Sequence, residues 1–156
     1  MPKKKDTNTA TLADYMSPRR RTLQWTDPVI GKVLYFSEMD AMTFAQLQAD
    51  IGAEEMYVTD FRADYLAAHA ELERNGAIDE QKALFLQCYD RNAHKILVYR
   101  IAALSSKPKL KPEHAAVLVQ GLTPEQTKDL NKRLTALIIL SLEAELIKNS
   151  QSSPDQ

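Results

Sequence analysis

The chain has 156 residues, 44% of them apolar and 26% charged, with a formal charge of −1. That is enough for one domain with its own core, and it excludes both a bulk polyanion-coating protein and an acidic solvating chain. The single cysteine, Cys88, excludes an internal disulfide and a cysteine-based zinc knuckle, and four glycines leave little material for phosphate-cradling loops.

The first 22 residues stand apart. Lys3, Lys4, Lys5, Arg19, Arg20 and Arg21 against Asp6 and Asp14 give them a formal +4, leaving −5 for the remainder. With Thr7, Thr9, Thr11, Ser17 and Pro18 among them, they bury too little to offset the cost of ordering, so 1–22 reads as a flexible basic arm. Polar residues follow the lysines, so the start is no signal peptide. The most hydrophobic run, Ala136 to Leu140, is far shorter than a membrane span. The expectation is a soluble, intracellular protein.

From Leu23 to Phe36 the residues are β-branched and aromatic around Asp27-Pro28 and Gly31, the pattern of a small β-hairpin. The period then becomes helical. Asp40 is placed to cap a helix running to Ile51 and ended by Gly52. Thr59 is placed to cap a second, with Phe61, Tyr65, Ala68 and Leu72 on one face until Asn75-Gly76. Asp79 opens a longer third helix, striped by Leu86, Tyr89, Ala93, Ile96, Leu97, Ile101 and Leu104. Lys107-Pro108 and Lys111-Pro112 bound a loop, and a short helix from Glu113 to Gln120 closes at Gly121.

Thr123-Pro124-Glu125-Gln126 then combines a capping hydroxyl, a proline at the first helical position and a glutamine three residues after the cap. The helix it starts extends to about Asn149, with Leu130, Leu134, Leu137 and Ile138 on one side. From Ile138 to Leu142 apolar residues spread around most of the circumference. Such a helix is either wrapped by the fold or offers apolar surface to a partner. The fold class expected is therefore mainly α: a single helical domain over 23–149, of about four to five helices, with a short N-terminal β-hairpin and a disordered polar tail at 150–156.

A search for chemistry finds little. Gly31, Gly52, Gly76 and Gly121 are isolated between elements, so no Walker or dinucleotide fingerprint exists. His69, His94 and His114 have no partner at metal-ligand spacing. His69 reads as a satisfied, partly buried imidazole. Asp60 and Asp64 stand at i and i+4, best read as a solvated first turn that suits the helix dipole. Cys88, among Leu84, Phe85, Leu86 and Tyr89, reads as a core residue. No catalytic set, cofactor or metal is expected. The basic clusters could neutralise phosphates, but no aromatic residue is interleaved and no recognition helix follows. A solubilising or electrostatic arm is the preferred reading.

The stretch from Ala93 to Ser150 carries a further pattern. An apolar helix ends as Lys95-Ile96-Leu97-Val98-Tyr99-Arg100-Ile101-Ala102-Ala103-Leu104-Ser105. A loop and small helix follow, then Gly121-Leu122-Thr123-Pro124-Glu125, and a last helix closes on Glu145-Leu146-Ile147-Lys148-Asn149-Ser150. This resembles the tail assembly chaperones of long-tailed bacteriophages, and Leu23 to Leu47 is similar to the strand-turn-strand-helix opening of those proteins. The loop at Ser105 to Lys111 departs from their pattern in lacking an Asp/Glu-Gly turn, and the arm before Leu23 is longer and more basic.

The resemblance implies a non-enzymatic protein of the host cell cytoplasm, absent from the mature virion. Its partners would be the tape measure protein and the tail tube protein, with a homo-oligomer as a further option and no membrane. It also implies a longer product made by ribosomal frameshifting near Lys148-Asn149. The residues placed to meet the client are Leu137, Ile138, Ile139, Leu142 and Leu146, with Lys3, Lys4, Lys5, Arg19, Arg20 and Arg21 as an electrostatic arm. The competing expectations are a minor structural or completion protein of the phage particle, and a small helical nucleic-acid-binding protein using the arm.

Overall fold

The computed structural model describes residues 9–10, 12 and 21–152, with side chains as far as 143 and at 146. Nearly all of the basic arm, and the chain from 153 onward, lie outside the described residues. The elements are β1 (Thr22–Thr26), β2 (Val33–Ser37), α1 (Ala41–Asp60), α2 (Arg62–Asn75), α3 (Glu80–Leu104), β3 (Ser105–Lys107), α4 (Pro112–Gln120) and α5 (Pro124–Ser152). The protein is mainly α, with five helices and a small antiparallel sheet of order β1-β2-β3 among the described residues.

The expected hairpin is present. Trp25 pairs with Leu34 and Leu23 with Phe36, so alternation turns Trp25, Leu34 and Phe36 into the core and leaves Val33 and Tyr35 outside. Asp27 holds the turn. Its backbone N–H donates to the Lys32 carbonyl, its own carbonyl accepts from Gly31, and its carboxylate accepts from the Val29 N–H at 2.8 Å. Gly31 has φ +66, a conformation in which a side chain would be strained. β3 was not expected; Ser105-Ser106-Lys107 joins β2 because the chain leaving α3 runs back along it.

Asp40 caps α1 through the Thr43 N–H, and Asp79 caps α3 through the Lys82 N–H. Gly76, at φ +72, ends α2 as expected. Two expected boundaries are corrected. Gly52 does not stop α1, which continues to Asp60. A glycine inside a helix costs about 1 kcal/mol, which contacts made beyond it offset: Val58 packs on the core cluster, Glu54 pairs with Lys95 and Glu55 with Arg100. Thr59 therefore lies within α1 and caps nothing; the break falls at Phe61, whose N–H donates to the Tyr57 carbonyl.

α3 is the central rod. Its Ile96, Leu97, Val98, Ile101, Ala102 and Leu104 form one buried cluster with Leu47 and Ile51 of α1, Ala115 and Val119 of α4, Leu130, Leu134 and Leu137 of α5, and the inner face of the hairpin. At its other end α3 meets α2 through rings, with Tyr65 stacked on Tyr89 at 3.9 Å between centroids and Phe61 edge-on to Phe85.

Polar contacts fix the angle of α5. Arg100 of α3 donates to Asn131 and Thr135 of α5 and to Glu55 of α1, joining three helices at one guanidinium. The capping box at the start of α5 is complete: the Thr123 N–H donates to Gln126 Oε1 and the Gln126 N–H to Thr123 Oγ1. Lys109 reaches back to the last carbonyls of α3, at Ala102 and Ala103, and burial holds its ammonium below the usual lysine range. α5 runs on to Ser152, past the stop expected near Asn149.

Candidate protein-binding surfaces

Two apolar surfaces stand out. The first is the far part of α5. Leu130 and Leu134 are fully buried and Leu137 is 5% exposed, so these three anchor the helix in the core. Ile138 is half-buried against the same cluster. Ser141 is the last described side chain to be buried. Beyond these anchors Ile139 is 51% exposed, Leu142 38% and Leu146 68%. At i, i+3 and i+7 they make one stripe within about 60° of the helix circumference. Of the five residues expected to meet a partner, these three face outward. Leu137 belongs to the core and Ile138 packs on its edge. The exposed carboxylate of Glu143, four residues from Ile139, flanks the stripe.

The second surface was not anticipated. Between the hairpin turn and α4 lies a groove of about 390 Å³, lined by Val29, Ile30, Val33, Leu118, Val117 and Leu110. Gly121 makes this approach close: a Cβ there would stand 3.0 Å from Val29 Cγ2. Val29 and Ile30 are each 59% exposed and Val117 is 70% exposed. Charge lies at the margin. Asp27 turns its carboxylate into its own turn, and Lys32 and His114 are the other titratable residues lining the groove. His114 Nδ1 accepts from the Lys111 N–H at 3.3 Å. Two branched apolar residues at a hairpin turn, Val29-Ile30, are the sequence signal that points here. The groove itself unites two segments far apart in the chain, 27–34 and 108–121.

The other candidate residues are dispersed. His69 is exposed and pairs with Glu73 on its own helix, and so is not the partly buried imidazole expected. His94 is exposed and His114 serves the start of α4. Asp60 ends α1 whereas Asp64 lies in the first turn of α2, so the two do not share a helix. Cys88 is corrected from core to surface: the stripe of α3 runs through Leu86 and Tyr89, and the intervening turn carries Cys88 outward, beside Asn92. Its hydrogen bond with Tyr57, with burial second, raises the Tyr57 hydroxyl above the ordinary tyrosine range.

Arg21, the one arm cation among the described residues, pairs with the buried carboxylate of Glu38 at 3.6 Å. Lys3, Lys4, Lys5, Arg19 and Arg20 lie outside the described residues. No group of three or more His, Cys, Asp or Glu among the described residues could hold a metal ion, and no helix there is long and apolar enough to cross a membrane.

No family model, curated protein or solved structure matches this chain. The surfaces carry the functional argument.

Proposed function

We propose that this protein is a non-enzymatic tail assembly chaperone of a bacteriophage. It would hold the long helical tape measure protein in solution while tail tube protein polymerises around it, then leave before the particle is complete. The observation that carries the reading is the uncovered stripe of Ile139, Leu142 and Leu146 on a helix whose preceding turns are locked into the core. A rigid helix ending in an apolar face is the part needed to pack against an amphipathic client helix. The resemblance of Ala93 to Ser150 to tail assembly chaperones supplies the identity of that client.

The energetics suit a reversible holdase. Each stripe residue is already partly covered and so contributes less than the about 1.5–3 kcal/mol of full burial, and association costs remove much of the total. One copy thus binds weakly, and many copies along one long client gain by multivalency. Coulombic attraction from the basic arm to acidic client segments would add a salt-sensitive component.

The test is co-expression with a tape measure protein, the client that this reading assigns. The reading expects that protein to become soluble and to co-purify with many copies of this chain. Insoluble client with nothing co-purifying would refute it, and retention of this chain in purified particles would favour a structural role.

A further inference from the structure

We infer that the groove between α1 and α3 docks an amphipathic helix of another protein, one that sets an acidic side chain beside its apolar face. The groove measures about 500 Å³. Leu47 of α1, Tyr99, Ala102 and Ala103 of α3, and Leu110 of the following loop form its apolar lining, and Met42 joins them, 84% exposed. The short side chains of Ala102 and Ala103 leave the valley between the two helices open where longer ones would fill it. Met42 and Asp50 are eight residues apart on α1, about 12 Å along its axis. That length takes two successive anchors of a docked helix, which stand about 6 Å apart at i and i+4.

Charge selects the partner. Lys109 lines the groove and donates to the Ala102 and Ala103 carbonyls at the end of α3. An ammonium has three N–H groups, so one donor remains, and among the described residues no carboxylate pairs with it. Burial, with no anion to offset it, holds this ammonium below the usual lysine range. Lys111 lines the same groove two residues on. Asp50, the carboxylate on this lining, accepts from Gln46 and lies in the field of Lys95. Its charge is answered within the fold, whereas Lys109 and Lys111 present a positive end. A docked carboxylate gives the third N–H of Lys109 its acceptor while the apolar face leaves water. A basic helix would instead set cation against cation. This groove shares no residue with the α5 stripe, which Glu143 flanks with the opposite charge. The inference therefore does not rest on the client reading.

Synthetic helices test it on the full chain. The probe is a fluorescein-labelled amphipathic peptide with a Leu and Ala face and one Glu beside that face; its control carries Gln there. In fluorescence anisotropy the Glu peptide is expected to bind roughly tenfold more tightly than the Gln peptide, the scale of a hydrogen bond to a charged group. Lys109→Met is expected to bring the two peptides to equal affinity. Because Lys109 also holds the end of α3, Met42→Glu gives a second reading. At so exposed a position it preserves the fold, as circular dichroism would verify, and it sets a carboxylate in the groove. It is expected to weaken the Glu peptide by roughly tenfold or more. Leu146→Asp, on α5, is expected to leave that affinity unchanged. No binding of either peptide, or equal affinity of the parent protein for both, overturns the inference. So does a Met42→Glu variant that binds as the parent does. Binding lost in Leu146→Asp but kept in Met42→Glu overturns it too and leaves the client reading standing. A tape measure protein that stays insoluble while the peptides behave as expected refutes the client reading alone.

Discussion

The Met39 N–H donates to Ser141 Oγ at 3.1 Å, across 102 residues of sequence. The same hydroxyl donates to the Leu137 carbonyl of its own helix, and both residues are buried. One side chain thus ties the end of the sheet segment to the last packed turn of α5. Among the described side chains beyond it on that helix, Leu142 and Leu146 are exposed.

Replacing Ser141 by alanine leaves the Met39 N–H buried without an acceptor. The expected cost is about 1–3 kcal/mol of folding stability, the desolvation penalty of an unsatisfied donor. Urea unfolding checks this, with a lower midpoint and an unchanged slope. A change well under that range would mean that water or another acceptor replaces the hydroxyl.

Two leucines of α5 are expected to behave in opposite ways. Leu134 is fully buried and Leu146 is 68% exposed. Leu134→Ala is expected to lose about 2–5 kcal/mol through transfer and cavity terms. Leu146→Ala is expected to stay within about 0.5 kcal/mol of the parent protein, yet to weaken client retention. Denaturant unfolding and pull-down, run side by side, separate packing from binding.

Tyr65 provides a pH prediction. Burial, then its hydrogen bond to Asp90 at 2.8 Å, raises its hydroxyl from an ordinary 10.0 to about 12. The folded protein thus keeps this proton to higher pH than the unfolded chain. The associated stability is fully present below 10.0 and is lost as pH rises through about 12. Tyrosinate absorbance should show a late-ionising fraction in the native protein, reduced in Tyr65→Phe and kept in part by Tyr57, which is also raised. A titration of Tyr65→Phe that matches the parent protein would contradict this assignment.

Much of the architecture is legible in the residues because local chemistry and tertiary packing agree there. The stripe of α3 is core where the 3.6-residue period puts it, except that Ala93 is only half-buried. The Thr123–Gln126 capping box forms as written, and Asp40, Asp79 and Gly76 act as caps and stop. Gly52 misleads because its modest intrinsic cost yields to the contacts of Glu54, Glu55 and Val58 beyond it, which have no local signature. Cys88 misleads because apolar neighbours in sequence are not neighbours on a helix face. The α5 stripe was legible as a girdle of apolar residues, but which of them face outward depends on the docking angle that Arg100 and Ser141 set. The groove was hidden because Val29, Leu110 and Val117 meet only in the fold.

In the proposed function the outward stripe of α5 holds a client helix. Hydrogen exchange of this chain, alone and in complex with the co-expressed large protein, tests it most directly. Alone, the amides of the last turns of α5 are expected to exchange faster than those around Leu130 and Leu134, because the described side chains beyond Ser141 are not buried. In the complex, protection is expected to rise across residues 139–146 and to fall back in a chain carrying alanine at 139, 142 and 146. Protection that leaves 139–146 unchanged while the client stays bound would contradict the account.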